Sequence, residues 1–457
     1  MAVAHRGRWV QACAACGRPP LNIMGLLAAA HRRRGGFSGR DRAKLLPVLA
    51  AVGLSLACGG GGGNSGSSQA TGANLGDIKI GVLEPLTGPS ASQGQDVLHG
   101  IELARDVLNG KYPEVGIPKL TVGKISLVSS DTQSNPQIAA SEVDRLGRTE
   151  KVAAIVGTYQ SATTLTASER SERLGIPTVC GSSSSTALTE RGLKWFFRVG
   201  PSDKTFAETY FDWLKSIRAQ HPVKKAVILH TNDQFGNDGA KIITEVAGKN
   251  GTTIADDISF QGNSTDLTSQ VQKIRSDNPD AVFTLAFTND AILFVKTAAQ
   301  LGYTPPAILA FGAGWIDPTF IKVLGPLANY SITRASWAAQ YGDKNPAAKA
   351  VAALFQKNYN QPMTENSARE FTAMITAGEA IQQAGSTDPD KVRTALRNYK
   401  QTKTIMPWKG IKFDANGQNE QSAGVIEQMV NGRYELVWPA DAATTKLAWP
   451  APPLSNR

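Results

Sequence analysis

Hydroxyl side chains are concentrated at two places in the chain, and each place follows a short apolar run. Four serines, 182–185, come after the apolar residues 176–179, and Ser-Ala-Thr-Thr, 161–164, follows residues 152–156. One serine could be a nucleophile, the serine run could be a solvated linker, or the hydroxyls could bind a small anion. Capping of the helices that follow would explain one Ser or Thr at each place.

Catalytic motifs are missing around these hydroxyls. A serine hydrolase needs Gly-x-Ser-x-Gly, and Gly181 is followed by four serines without the second glycine. His230 is a lone histidine at a predicted strand end, which is more often structural than a general base. Cys13 and Cys16 have CxxC spacing, but no second pair completes a zinc site. We therefore expect no enzymatic activity, no metal and no cofactor.

Short β-branched runs alternate with segments of helical period over residues 77–337. Because the strand candidates are almost continuously apolar, they predict an α/β fold with parallel sheets covered by helices on both faces. The pattern forms two runs, about 78–197 and 224–337, which fit two doubly wound lobes better than one large domain with an appendage. Ligands of such sheets bind beyond the carboxyl ends of the strands, where both hydroxyl runs fall. The anion-binding interpretation is thereby favoured.

The net charge of +10 is confined to the start of the chain. Nine Lys or Arg and one acid, Asp41, lie in residues 1–57, which leaves 39 basic and 37 acidic groups in the other 400 residues. A nearly neutral body has no electrostatic footprint for a polyanion. We expect no nucleic-acid partner.

The basic start leads into 13 apolar residues, 45–57, the layout of a secretory signal and too short for a membrane span. Residues 1–57 are therefore predicted to be a signal peptide whose true start is Met24. Ser55-Leu56-Ala57-Cys58 resembles the lipobox of bacterial lipoproteins, with Ser where Leu is usual, and this implies lipidation of Cys58; an incidental cysteine is the alternative. Residues 58–76, rich in Gly and Ser, are predicted to be a flexible tether.

Several segments together carry a family resemblance over residues 77–439. In order they are IKIGVLEPLTGPSASQGQDVLHGIELARDVLN, VAAIVGTYQSATTLTAS, GIPTVCGSSSSTALT, FFRVGPSD, ILHTNDQFGNDGAK, DAVFTLAF and AGEAIQQAGSTDPDKVRTAL. They resemble the leucine/isoleucine/valine-type periplasmic binding proteins, the extracytoplasmic receptors of branched-chain amino-acid ABC importers. The resemblance implies a type I periplasmic binding protein fold, with two α/β lobes that close on ligand about three hinge crossovers.

The resemblance also implies a division of the chain. Lobe 1 is predicted to hold residues 77–200 and 339–406, lobe 2 residues 201–338 and 407–440, and a C-terminal tail residues 441–457. The predicted crossovers lie near residues 199–203, 337–343 and 404–408. The protein is expected to be a monomer that docks on the permease subunits of a transporter in the membrane.

Site residues follow from the same resemblance. Ser161, Ser182 and Ser184 match positions that hold the α-carboxylate and ammonium groups of the ligand, with Thr163 a neighbouring candidate. Gln93 matches an aromatic position at the cleft edge. Two further positions match tyrosines of lobe 2, and they are Phe235 and Phe287.

One departure from the family concerns the ligand's ammonium group. Gly314 stands where branched-chain amino-acid binders carry a glutamate, and Trp315 follows it. A buried ammonium without an anionic partner is costly. Either Asp290 or Asp317 substitutes, or Trp315 receives the cation over its ring, or the ligand has no ammonium; Trp315 could also be plain core packing.

The sequence thus predicts a lipid-anchored, extracytoplasmic solute-binding protein that binds a hydrophobic amino acid or a related small carboxylate. A ligand-binding sensor for signalling is the alternative, because the same fold serves that role, and an attached kinase or transmembrane segment would favour it. A hydrolase is the more remote alternative.

Overall fold

The structure is a computed structural model, and it describes residues 74–457. The predicted signal peptide, the predicted lipidation site Cys58 and the linker up to residue 73 lie outside the described residues. Within the described range no helix is both long enough and apolar enough to cross a membrane.

Strands and helices alternate along most of the described chain. The strands are β1 (Asp77–Glu84), β2 (Lys124–Asp131), β3 (Ala154–Gly157), β4 (Thr178–Cys180), β5 (Phe196–Arg198), β6 (Lys225–Thr231), β7 (Thr253–Phe260), β8 (Ala281–Leu285), β9 (Ile308–Ala310), β10 (Ile332–Ala335), β11 (Lys400–Gln401), β12 (Ile411–Lys412), β13 (Val425–Val430) and β14 (Arg433–Trp438). The helices are α1 (Ala91–Leu108), α2 (Pro136–Asp144), α3 (Ser161–Leu174), α4 (Asp203–Ile217), α5 (Gln234–Lys249), α6 (Thr268–Asp277), α7 (Thr288–Gln300), α8 (Pro318–Leu324), α9 (Pro346–Tyr359), α10 (Glu365–Ala384) and α11 (Pro389–Arg397).

Two sheets divide these strands. The first has the order β2-β1-β3-β4-β5 and is parallel throughout, and the second has the order β14-β13-β10-β9-β8-β6-β7 with an antiparallel edge made by β13 and β14. Val82 and Leu83 of β1 point to opposite faces of the sheet and are both fully buried, as expected for a strand covered on both faces. The predicted α/β class is confirmed. We call the first sheet with its packed helices lobe 1, and the second lobe 2.

The chain passes between the lobes three times. It enters lobe 2 between Arg198 and Asp203, where the first crossover is predicted, and it returns to lobe 1 after Ala335. The last passage differs from its predicted position at residues 404–408. Trp408, Ile411 and Phe413 pack in the core of lobe 1, because β12 turns back to pair with β11.

That difference moves the last boundary of the predicted lobes. Asn419 still belongs to lobe 1, since its side-chain amide donates to the carbonyls of Val199 (3.0 Å) and Gly410 (3.3 Å). The chain therefore leaves lobe 1 between Asn419 and Val425. Residues 407–419, predicted to be in lobe 2, lie on the lobe 1 side.

Helix α10 is the central helix of lobe 1 and packs closely against α1. Gly100 of α1 makes the close approach possible, because a Cβ there would lie 2.2 Å from the carbonyl oxygen of Ser367. A capping box made by Thr364 and Ser367 begins α10. The first residue of α10, Glu365, pairs with Arg334 of lobe 2, so the helix begins at the boundary between the lobes.

The C-terminal segment, predicted as a tail, packs on lobe 2. The ring of Trp449 lies 5.9 Å from that of Trp213, and Leu454 is buried. Arg457 donates to the carbonyl of Asn329 at 2.6 Å and lies over the ring of Tyr330.

Candidate ligand-binding cleft

Two loops of lobe 1 bring hydroxyl side chains to one edge of its sheet. Ser161 is the first residue of α3, which follows β3, and Ser182 and Ser184 lie in the loop after β4. Because β3 and β4 are parallel neighbours, both loops emerge at the carboxyl edge of the sheet. All three serines line one cavity between the lobes.

Lobe 2 contributes an aromatic wall to the same cavity. Phe235 lies in the first turn of α5, after β6, and Phe287 precedes α7, after β8. Their ring centroids are 5.7 Å apart, and Phe287 lies 6.1 Å from the ring of Tyr159 in lobe 1. Five of the predicted site residues therefore meet at one cavity, and their role as ligand contacts stays a prediction.

The cavity is small, with a volume of about 20 Å³. A single water needs roughly 10–15 Å³ by this measure, whereas small-molecule sites enclose roughly 300 Å³ or more. The structure thus shows the cleft closed on itself. A ligand the size of an amino acid can enter only if the lobes separate or the lining side chains move.

Hydrogen bonds between the lobes hold this closed arrangement. Gln93 of α1 donates to Thr288 at the start of α7, Ser92 donates to Asp317 at 3.1 Å, and Ser185 donates to Asp238 of α5 at 2.8 Å. Gln93, predicted at the cleft edge, thus joins the lobes and does not line the cavity.

Two buried arginines that the sequence reasoning missed line the cavity. Arg334 lies in β10, and its guanidinium carbon is 3.6 Å from the ring centroid of Phe206. Arg369 lies in α10 and donates to the carbonyl of Ser182 at 3.0 Å and to Oδ1 of Asn366 at 2.6 Å. The Nε atom of each arginine has no hydrogen-bond partner among the described residues.

The charges around the cavity favour an anion. Its lining includes both arginines and no Asp or Glu. Glu365, just outside the lining, pairs with Arg334 and accepts from the backbone N–H of Ser336 at 2.7 Å, and it lies 3.6 Å from Arg369. Asp203 is fully buried, and burial raises its pKa to about 6, while the positive charge of Arg334 opposes that rise. The negative charges of Glu365 and Asp203 offset part of the positive charge of the arginines, but both carboxylates lie outside the cavity lining.

The backbone donors of the serine loop are already occupied by a protein carboxylate. The N–H groups of Gly181 and Ser182 donate to Glu370 of α10 at 3.0 and 2.8 Å, and that of Tyr159 donates to Glu84 at 2.8 Å. Burial raises the pKa of Glu370 to about 7, and burial together with the charge of Glu370 raises the pKa of Glu84. A ligand therefore meets hydroxyls and guanidinium groups at this loop, and not these N–H groups.

The hydroxyls have different partners. The Oγ atom of Ser182 has none among the described residues, and that of Ser161 accepts only from the N–H of Ser185, at 3.3 Å. Thr163 does not line the cavity, since its hydroxyl lies 2.6 Å from that of Thr158 and donates to the Gln160 carbonyl at 2.8 Å. Its contacts are those of a residue that stabilises the start of a helix.

Gly314 and Trp315 are packing residues in this structure. A Cβ on Gly314 would lie 2.1 Å from the backbone nitrogen of Thr288, so no larger side chain fits there without moving the backbone. Trp315 is fully buried between Phe294 and Phe320, with ring centroids at 6.2 and 5.0 Å. The interpretation of Trp315 as core packing agrees with these contacts, and a ligand cation cannot reach its ring.

The two predicted substitute acids are placed outside the cavity lining. Asp290 faces the loop at Asn263 and Ser264, whose N–H groups oppose the rise in its pKa that burial causes. Asp317 caps α8 by accepting from the N–H of Thr319 at 2.6 Å. Neither carboxylate is positioned to receive an ammonium group in the closed cleft.

The one cysteine of the described residues has a structural role. Cys180, the free cysteine of the described residues, is fully buried at the end of β4, and burial raises the pKa of its thiol to about 12. Among residues 74–457 no cluster of His, Cys, Asp and Glu has the arrangement of a metal site.

These features define the class of the protein: two α/β lobes enclosing a polar cleft at the carboxyl ends of parallel strands, as in solute-binding receptors. The family model described as "Periplasmic binding protein" matches residues 77–432, and the chain belongs to this family. The family consists of extracytoplasmic binding proteins of transport systems, and its members are receptors and not enzymes.

Individual relatives agree with the family. The Leu/Ile/Val-binding protein homolog 7 of Brucella suis biovar 1 is 29% identical over 385 residues, which cover 82% of this chain and 94% of the relative. The leucine binding protein LivK of Thermotoga maritima superposes with a TM-score of 0.70 at 24% identity, over 80% of this chain and 99% of that one. A solute binding protein of R. palustris in complex with benzoate gives 0.68 at 20% identity, over 83% and 98%. The likeness to these two structures concerns the fold.

Proposed function

We propose that the protein is the lipid-anchored solute-binding protein of an ABC importer and binds a small carboxylate with an apolar body. The observation that carries the proposal is the lining of the interlobe cavity. It combines Arg334 and Arg369 with three serine side chains and contains no Asp or Glu.

The ligand's carboxylate would lie between the serine loops and the arginines. The hydroxyls of Ser182 and Tyr159 and the Nε atoms of both arginines are donors of the cavity lining that have no partner among the described residues. Hydrogen bonds to a charged group contribute about 1.5–3 kcal/mol each. Phe235 and Phe287 would cover the apolar part of the ligand, and closure of the lobes would exclude water.

Hydrophobic amino acids and related acids without an ammonium group share this carboxylate. The T. maritima relative is a leucine binding protein, and the R. palustris protein holds benzoate. Because Gly314 leaves no room for a glutamate and the cavity lining has no acid, an ammonium group would lack an anionic partner here. We therefore propose that acids without an ammonium bind more tightly than amino acids.

Calorimetric titration of the purified protein with matched ligands tests this proposal. Leucine and 4-methylpentanoate differ only in the ammonium group, and benzoate and benzamide differ in the charge. We expect 4-methylpentanoate and benzoate to bind and to raise the melting temperature, since ligand at 100 times its Kd stabilises by about 2.7 kcal/mol. Binding of benzamide as tight as that of benzoate would disprove the carboxylate site, and tighter binding of leucine would disprove the preference.

The anchor and the transport partner are further parts of the proposal. Acyl chains on Cys58 would hold the protein at the outer face of a membrane, and the tether of residues 58–76 would let the lobes reach a permease. We expect Cys58→Ala to move the protein from the membrane fraction to the soluble fraction of cells that express it. If the Cys58→Ala protein stays with the membrane fraction, Cys58 is not the anchor.

A further inference from the structure

A second cavity, of about 690 Å³, lies beside the return crossover from lobe 2 to lobe 1. Small-molecule sites in proteins commonly enclose roughly 300–1,000 Å³. Its walls come from both lobes, and the residues that matter for its chemistry are Ile321, Trp337, Met363, Glu365, Glu427 and Tyr434. The ion pair of Glu365 with Arg334 separates it from the candidate cleft, because Glu365 lines this cavity and Arg334 lines the other.

Glu427 is a buried carboxylate without a partner in this cavity. It lies in the middle of β13, opposite Thr333 and Leu436, and is 5% exposed. Among the described residues no hydrogen-bond donor or cation contacts its carboxylate. Burial raises its pKa, and the charges of Glu365 and Glu435 raise it further. An isolated acid in a mostly apolar wall is costly unless it is protonated or meets a cation.

No other charged group that the structure describes in the cavity provides a second free carboxylate or a cation that pairs with Glu427. Glu365 is already bound by Arg334 and by the N–H and hydroxyl of Ser336. Lys322 is exposed at the rim, and Arg433, with 79% of its side chain exposed, pairs with Glu435. The one carboxylate left for a ligand in the described cavity is that of Glu427.

The walls fit a cation with an apolar surface. Trp337 and Met363 are mostly packed in the core of lobe 1 and contribute apolar atoms to the cavity wall, and the indole face of a tryptophan attracts cations. Calcium or magnesium would need six or more oxygen ligands, which this lining does not offer. We propose that the cavity binds a small organic ammonium ion whose charge lies against Glu427 and whose alkyl groups contact Trp337 and Met363.

Tetramethylammonium chloride is the probe that tests this site, and tert-butanol is its neutral counterpart of similar shape. In calorimetric titrations of the whole protein at pH 8, we expect tetramethylammonium to bind at one site. Sodium chloride and tert-butanol at the same concentrations should give no saturable signal. Equal binding of tert-butanol, or no saturable binding of tetramethylammonium, would overturn the proposal without any variant.

Variants locate the site. Glu427→Gln keeps the shape and removes the charge, and we expect it to weaken tetramethylammonium binding at least about tenfold. Glu245→Gln removes an exposed charge on α5, a helix that does not line this cavity, and should leave binding unchanged. Unchanged binding by Glu427→Gln would refute the site. The same Glu427→Gln protein should bind benzoate like the wild type, so failure of the carboxylate proposal is seen separately.

Discussion

Arg369 is the lining side chain whose position depends most directly on the serine loop. It is 1% exposed, donates to the Ser182 carbonyl, and keeps its Nε without a partner. The carboxylate of Glu365 is hydrogen-bonded to Arg334 and neutralises its charge, whereas it lies farther from Arg369, at 3.6 Å. The positive charge of Arg369 is therefore the one most available to a ligand.

Replacing Arg369 with Gln should weaken benzoate binding by about 10- to 100-fold, because a charge-assisted hydrogen bond contributes about 1.5–3 kcal/mol. Titration calorimetry measures this change. Arg173→Gln, at an exposed position in the last turn of α3, is the matched control and should bind like the wild type. A Kd for Arg369→Gln within twofold of the wild type would remove Arg369 from the site.

Gly314 offers a second test at the residue scale. Introducing Glu there should not create an ammonium site, because the new Cβ would meet the backbone of Phe287 and Thr288 at 2.1–2.2 Å. We expect Gly314→Glu to lose at least about 1–3 kcal/mol of unfolding free energy, the usual cost of overpacking. Chemical denaturation measures the loss.

The control for Gly314 is Gly248 in α5, where a Cβ meets nothing within 4 Å. Gly248→Ala should be neutral or stabilise by up to about 1 kcal/mol. A Gly314→Glu protein as stable as the wild type that binds leucine more tightly would show that the loop yields and can hold an ammonium partner.

At the scale of elements, α10 is joined to the end of β4 by a buried carboxylate. Glu370 accepts hydrogen bonds from the N–H groups of Gly181 and Ser182. Arg369 is the preceding residue of α10, so this contact also places Arg369 beside the cleft. The position of α10 therefore determines where both the serine loop and Arg369 lie.

The pKa of Glu370 predicts how stability depends on pH. Its pKa is raised from 4.5 to about 7 in the folded protein, mainly by burial. A raised acid pKa stabilises the fold fully below pH 4.5, and this contribution is lost as the pH rises through about 7. We expect the unfolding free energy of the wild type to fall between pH 4.5 and 7, and Glu370→Gln to flatten that fall.

Denaturant titrations at several pH values measure this slope. Glu114→Gln, an exposed substitution in the same lobe, should leave the slope unchanged. An identical slope in Glu370→Gln and the wild type would mean that another group titrates, of which the neighbouring Glu84 is the first to examine.

The elements themselves were largely predictable, and the cleft only in part. β-branched runs and helical periods located most strands of both sheets but missed β5 and β7, and the hydroxyl runs marked Ser161, Ser182 and Ser184. Arg334 and Arg369 were missed, since a charge within a strand or near the start of a helix is usually exposed. A positive residue inside the β-branched run of β10 was the available signal. The last crossover was placed too early because the return of β12 onto β11 depends on long-range packing.

At the scale of the whole molecule, polar contacts join the two lobes around the closed cleft. Asp238 of α5 accepts from the hydroxyl of Ser185 at 2.8 Å and from the N–H of Ala187 at 3.2 Å. Each such bond contributes about 1 kcal/mol. Because Asp238 supplies two of the hydrogen bonds between the lobes, loss of its carboxylate should favour the open form.

We expect Asp238→Ala to increase the radius of gyration of the ligand-free protein in small-angle X-ray scattering. Its benzoate Kd should rise roughly tenfold, since ligand binding must then drive closure without this contact. Glu245→Ala, an exposed change on the same helix, should alter neither quantity. An unchanged radius and Kd in Asp238→Ala would show that closure does not depend on this contact.

The burial of Cys180 has a practical consequence for observing that motion. Maleimide dyes react with thiolates, and a fully buried thiol whose pKa is raised to about 12 stays protonated and out of reach at neutral pH. In a protein that starts after residue 73, cysteines introduced at exposed sites such as Glu169 of lobe 1 and Glu245 of lobe 2 would be the reactive thiols. A fluorescence donor and acceptor on the two lobes could then report opening and closing, one molecule at a time, with the native cysteine left in place.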